Sequence, residues 1–139
     1  MTCGNRASLL VAVFLGLFGW GCAASPVIQG KVIEGNLSFI AVVDQSDERL
    51  QKEGLGEVSI EARTGSARGG NATLAGTDSK PDGAFTLKFK EQSVLTRPVE
   101  FVAEKAGYQP AKVEMIKPAP GRQLLIILTP VGKARSGEK

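Results

Sequence analysis

From Pro81 to Lys90 the chain passes from a turn into strict alternation: Phe85, Leu87 and Phe89 interleave with Thr86, Lys88 and Lys90. A period of two puts all three large apolar groups on one face of a strand and none on the other, whereas a helix would scatter them around its axis. Pro81-Asp82-Gly83 sets where the strand starts, because proline fixes φ and glycine accepts the positive φ of a tight turn. The same alternation recurs at Val58, Ile60 and Ala62 against Glu57, Ser59, Glu61 and Arg63, then over residues 99–105 and 111–115. Two further runs, residues 38–43 and 124–128, are apolar without alternation and predict strands covered on both faces. Between the first of these runs and Gly54 the chain is charged, with only Leu50 to bury, so residues 44–53 read as a solvated excursion of one or two helical turns. Seven or eight short strands separated by Gly/Pro/Asp turns, with no long helix, predict an all-β chain folded as a single antiparallel β-sandwich.

Ahead of the strands, Arg6 precedes an apolar run over residues 9–21 that ends at Cys22. This run is shorter than the roughly 20 residues a membrane-crossing helix needs. It reads instead as an export signal closing on a lipid-acceptor cysteine and resembles a bacterial lipoprotein signal: Gly21 fits the position before the cysteine, while Gly19 and Trp20 depart from the pattern. Ordinary cleavage after Ala24 is the alternative. In the first reading residues 1–21 are removed, Cys22 carries the acyl chains (palmitate among them), and residues 22–26 tether the domain to a membrane. Ala23, not being aspartate, would then permit the outer membrane in a Gram-negative cell.

Removal of that segment leaves 118 of the 139 residues, one ordinary domain, and takes away Cys3 and the single charge Arg6. Sixteen basic residues then face fourteen acidic ones, scattered singly, which gives no case for nucleic acid. With Cys22 the sole remaining cysteine there is no internal disulfide, so the fold rests on packing. The chain has no histidine, which takes away the commonest general base and the commonest transition-metal ligand.

Candidate sites are few. Asp78 and Asp82 flank one turn and could offer oxygens to calcium, but that ion takes six or more donors and two carboxylates are better explained as turn formers. Asp44, Asp47 and Glu48 form a second acidic group, beside Arg49 and Lys52. The aromatic residues that a sugar platform would need (Tyr108, Phe39, Phe85, Phe89 and Phe101) fall at positions that read as core. Loops 36–55 and 64–70, the second glycine-rich, are the places where a glycan or peptide could be held.

Taken in order, Gly30-x-Val32, Gly56-x-Val58-x-Ile60, Thr77-Asp78, Asp82-Gly83-x-Phe85-x-Leu87, Ala106-Gly107-Tyr108 and the stretch from Leu124 to Pro130 resemble the carboxypeptidase regulatory-like domain. The resemblance covers roughly residues 27–130 and implies a transthyretin-like (prealbumin-like) Greek-key sandwich of about seven strands, with residues 36–55 as an insertion and 131–139 as a polar tail. It also implies a non-catalytic module, with no cofactor and no catalytic residues to carry over. The transthyretin-like fold also hosts hydroxyisourate hydrolases, but these rely on histidines that this chain lacks. The expectation is therefore a non-enzymatic, lipid-anchored lipoprotein of the cell envelope that serves as a structural or interaction module, with an envelope protein or glycan as partner. A ligand-binding module using the two loops is the alternative.

Overall fold

The computed structural model of the protein describes residues 26–65, 72–90 and 96–132. Among the described residues eight strands run in the order β1 (Val27–Glu34), β2 (Phe39–Asp44), β3 (Ser59–Thr64), β4 (Thr73–Asp78), β5 (Ala84–Lys88), β6 (Val99–Glu104), β7 (Ala111–Met115) and β8 (Arg122–Leu128), with a 3-10 turn at Glu48–Gln51 between β2 and β3. They form two four-stranded sheets, one ordered β2-β8-β1-β5 and the other β4-β3-β6-β7. The β-sandwich read from the alternation is the fold of the chain.

The sheets close on a core supplied by one face of each. From the first come Ile28, Val32, Phe85, Leu87, Leu124, Ile126 and Leu128; from the second come Ile60, Ala62, Val99, Phe101 and Ala103. Phe85 and Leu87 are buried as their alternation requires, and Phe89, just past the strand, is held by a hydrogen bond from its N–H to the Pro26 carbonyl.

Three features depart from the sequence reading. Every strand pair is antiparallel except β1 with β8, which run parallel, Val32 lying opposite Ile126. Parallel neighbours need a long crossover, and the whole domain between the first strand and the last provides it. Residues 38–43 do not form an interior strand covered on both faces: β2 is an edge strand that pairs with β8 alone, with Ile40 and Val43 buried but Ala41 and Val42 only half-buried. Glu57, read as part of the alternation, stands outside β3 with φ +60, a region seldom used by a residue with a β-carbon.

The charged excursion after β2 is also more than solvated chain. Leu50, on the 3-10 turn, is buried against Ile33, Val43, Leu125 and Ile127, with Phe39 packed alongside, forming a second apolar cluster distinct from the main core. Successive residues of a strand point to opposite faces, so β8 sends Leu124, Ile126 and Leu128 inward and Leu125 and Ile127 outward. Its unbroken apolar run, predicted to be fully buried, is so because Leu50 of the 3-10 turn covers its outer face, with Val43 and Phe39 of the neighbouring β2 packed alongside. Burying one leucine in this way stabilises by about 1.5–3 kcal/mol.

The two sheets are tied at the β4–β5 turn. Ser79 is buried; its Oγ accepts from the Val58 N–H at 3.0 Å and donates to the Leu55 carbonyl at 2.7 Å. The Gly83 carbonyl accepts from the Val32 N–H at 2.8 Å, and the Val32 carbonyl accepts from the Leu55 N–H at the same distance. The turn between β4 and β5 is thereby fastened to β1 and to the segment that enters β3.

Candidate functional site

Cys22 and residues 66–70 of the glycine-rich loop lie outside the described residues, as do 133–139 of the tail. Of loop 64–70 only Thr64 and Gly65 are placed. Most of the insertion at residues 36–55 serves the fold itself, since β2 extends the sheet and the 3-10 turn carries Leu50 into the second cluster.

Asp82 Oδ1 accepts from the Ala84 N–H at 3.0 Å, the geometry of a side chain that closes its own turn. Asp78 is exposed at the last position of β4. Among the described residues no three His, Cys, Asp or Glu side chains gather as a metal would require. Two members of the second acidic group, Asp47 and Asp44, are paired, while Glu48 is exposed at the start of the 3-10 turn. Asp47 caps the 3-10 turn by accepting from the Arg49 N–H, and its carboxylate meets the Arg49 guanidinium at 2.9 Å. That hydrogen-bonded guanidinium pulls the Asp47 carboxyl down to about 2. Asp44 pairs with Arg122 at 3.1 Å across β2 and β8.

The sandwich has two chemically different ends, and strand register defines them. At one end lie the start of β1, the end of β5 and the start of β8, with Val27 opposite Lys88 and Arg122 opposite Asp44. The β7–β8 connection joins this end, and a hollow of about 250 Å³ there is lined by Val27, Ile28, Lys117, Pro118, Pro120 and Arg122, among others. Chain direction reverses at the other end, where Tyr108 bridges to Pro130 beyond β8.

A hydrogen-bonded cluster organises that second end. Tyr108 Oη donates to Glu34 Oε2 at 3.1 Å, which raises the phenol's pKa above its ordinary value because the neighbouring carboxylate disfavours the phenolate. Ser38 Oγ accepts from the Thr129 N–H at 3.0 Å and donates to the Gln109 carbonyl at 2.8 Å, while the Gln109 N–H returns to the Thr129 carbonyl. Leu37 and Val131 stand exposed beside this cluster, each about two-thirds accessible. A cleft of about 500 Å³ nearby is lined by Ile33, Glu34, Lys52, Glu53, Gly54 and Leu55.

Of the aromatic residues read as core, Phe85, Phe89 and Phe101 are so. Phe39 instead packs on the outer cluster, and Tyr108 is part-exposed with its hydroxyl on Glu34. Nothing local in the sequence signals the Glu34–Tyr108 contact, whose partners are 74 residues apart. No protein-family model matches the chain, and no curated protein matches it.

Proposed function

We propose that the protein is a lipid-anchored envelope module, tethered through Cys22, that uses a β-sandwich without catalytic chemistry of its own to engage other envelope components. The observation that carries this reading is the apolar run over residues 9–21 closing on Cys22, only four residues ahead of Pro26, whose carbonyl already belongs to the sandwich through Phe89. The resemblance to carboxypeptidase regulatory-like domains supports a non-catalytic role, as does a sequence without histidine. The end carrying Tyr108, Leu37 and Val131 lies one strand length away from Pro26, so in a tethered molecule it is the end offered to a partner.

The test is labelling of the full chain in a bacterial host with radioactive palmitate, followed by membrane fractionation. The wild type should take up label and sediment with membranes, and Cys22→Ser should do neither. Equal size and equal partition of the two proteins would remove the anchor from the proposal.

A second reading is ligand capture by the same end. It is favoured by the cleft between Glu34 and the Lys52–Leu55 segment, which belongs to the 36–55 insertion. Thermal shifts against glycan and peptide panels decide it: a shift in the wild type that Lys52→Ala abolishes supports capture, and a flat response across both panels rejects it.

A further inference from the structure

We propose that the N-terminal end of the sandwich is itself a membrane-binding surface that docks on anionic lipid headgroups, an inference that rests on the anchoring read at Cys22. Four side chains at this end, Lys88, Lys90, Arg97 and Lys117, have no ion-pair partner among the described residues. Other charges toward this end are matched: Arg122 meets Asp44 at 3.1 Å, Lys112 meets Glu100 at 2.8 Å and Arg63 meets Glu61 at 2.7 Å. Glu114, near the end of β7, and Glu48, exposed in the turn that follows Asp44, are the further carboxylates toward this end among the described residues, two against four cations. The far end has the opposite balance: outside the Lys105–Glu57 pair, Glu34, Glu53, Asp78, Asp82 and Glu104 outnumber Lys31, Lys52 and Lys80. A molecule whose overall charge is close to balanced is thus polarised along its strands, positive where the tether enters.

Three observations select a lipid surface as the occupant. The first is reach: whatever the conformation of residues 22–25, four residue steps span at most about 14 Å. An acyl chain on Cys22 would hold this end of the domain within about two Debye lengths of the headgroups at physiological salt. The second is complementarity, since lysines and arginines close to an anionic leaflet are attracted to it individually and additively. The third is the apolar content of the same end, where Ile116 is 62 % and Val27 42 % exposed. Ile116 adjoins Lys117, and Val27 lies opposite Lys88 in the sheet, so apolar and cationic groups alternate as they do on surfaces that sit in the interfacial region of a bilayer.

The closing experiment uses the mature chain carrying Cys22→Ser, in which every described strand and both apolar clusters are retained and no acyl chain contributes. Flotation is measured with phosphatidylcholine vesicles and with vesicles containing about one quarter phosphatidylglycerol, at about 50 mM and about 500 mM salt. Binding should favour the anionic vesicles about tenfold or more and collapse at the higher salt. Lys88→Glu with Lys90→Glu should remove the preference, while Lys52→Glu with Lys80→Glu, an equal charge change at the far end, should leave it within about threefold. Thermal melts of both variants confirm folding, and the salt response of the unmutated domain reads the surface without any lysine replacement.

Equal binding to both vesicle types, or equal losses in the two lysine variants, would overturn the docking surface. Because this protein carries no lipid, those outcomes are separate from palmitate labelling of Cys22: an anchored protein with an inert base and an unanchored protein with an active base give different pairs of results.

Discussion

Gly54 and Gly83 meet so closely that a β-carbon on Gly83 would stand 2.6 Å from the Cα of Gly54. The contact lies where the β4–β5 turn is laced to β1 through Val32, and Gly83 adopts φ +84 to complete it. Pro81-Asp82-Gly83 is therefore a turn whose glycine is required twice, by its dihedral and by its neighbour.

Gly83→Ala should destabilise the domain by more than the roughly 1–3 kcal/mol that such a dihedral alone costs a non-glycine residue, because the Val32 carbonyl also blocks the new methyl. Gly107→Ala supplies the comparison: its φ is +83 but nothing lies within 4 Å of the added carbon, so only the dihedral cost applies. Urea unfolding of the two variants should rank them in that order, and equal midpoints would show that the packing around Gly54 is soft.

Leu50→Ala should cost about 2–3 kcal/mol, at the low end for a buried leucine because the second cluster lies close to the surface. Leu124→Ala, in the main core, should cost about 4 kcal/mol. A Leu50→Ala variant within about 0.5 kcal/mol of wild type, the range of ordinary surface substitutions, would show that the 3-10 turn does not anchor the outer face of β8.

Asp47 makes stability depend on acid. Its carboxyl is depressed to about 2 by Arg49, below the unfolded value of about 3.9, so its contribution is fully present above that value and is lost as pH falls toward 2. Asn can still cap the turn but cannot pair with the guanidinium. Asp47→Asn should therefore melt slightly below wild type at pH 6, and the gap should close between about pH 4 and pH 2. A gap that does not change with pH would mean the ion pair contributes nothing.

Tyr108 is the sole tyrosine of the chain, so phenolate absorbance reads it without assignment. With Glu34 accepting a hydrogen bond from its hydroxyl, the titration midpoint should lie above the ordinary 10.0 and move back toward it in Glu34→Gln. An identical midpoint in both proteins, recorded while the far-ultraviolet circular dichroism stays native, would remove the Glu34 contact from solution.

The sandwich was legible wherever one face of a strand is wet. Phe85, Leu87 and Phe89 declare their face by alternation, and Gly83 declares its turn, because both signals are local. The unbroken apolar run of β8 also declared two covered faces, but which groups cover the outer one depends on Leu50 and Phe39, more than 70 residues earlier. The same composition misled at β2, where an apolar run marks an edge strand whose outward side chains are served by the second cluster. The parallel pairing of β1 with β8 and the hydroxyl contact of Tyr108 with Glu34 are products of the closed fold, and neither leaves a periodic trace. The polarised ends were equally hidden. Their charges are evenly scattered along the chain and separate only once strand direction assigns each to an end.

The place of β8 has a consequence for how the molecule is made. It is the last of the described strands to be synthesised, yet it sits between β2 and β1, which do not pair with each other and wait some 80 residues for the strand that joins them. Until residue 128 is available the first sheet is two unjoined pieces with Ile33, Ile40 and Val43 uncovered, a nascent chain held open by its own topology. Closure of the first sheet is therefore a late event, set by the strand that lies at its centre and is made after both of its neighbours.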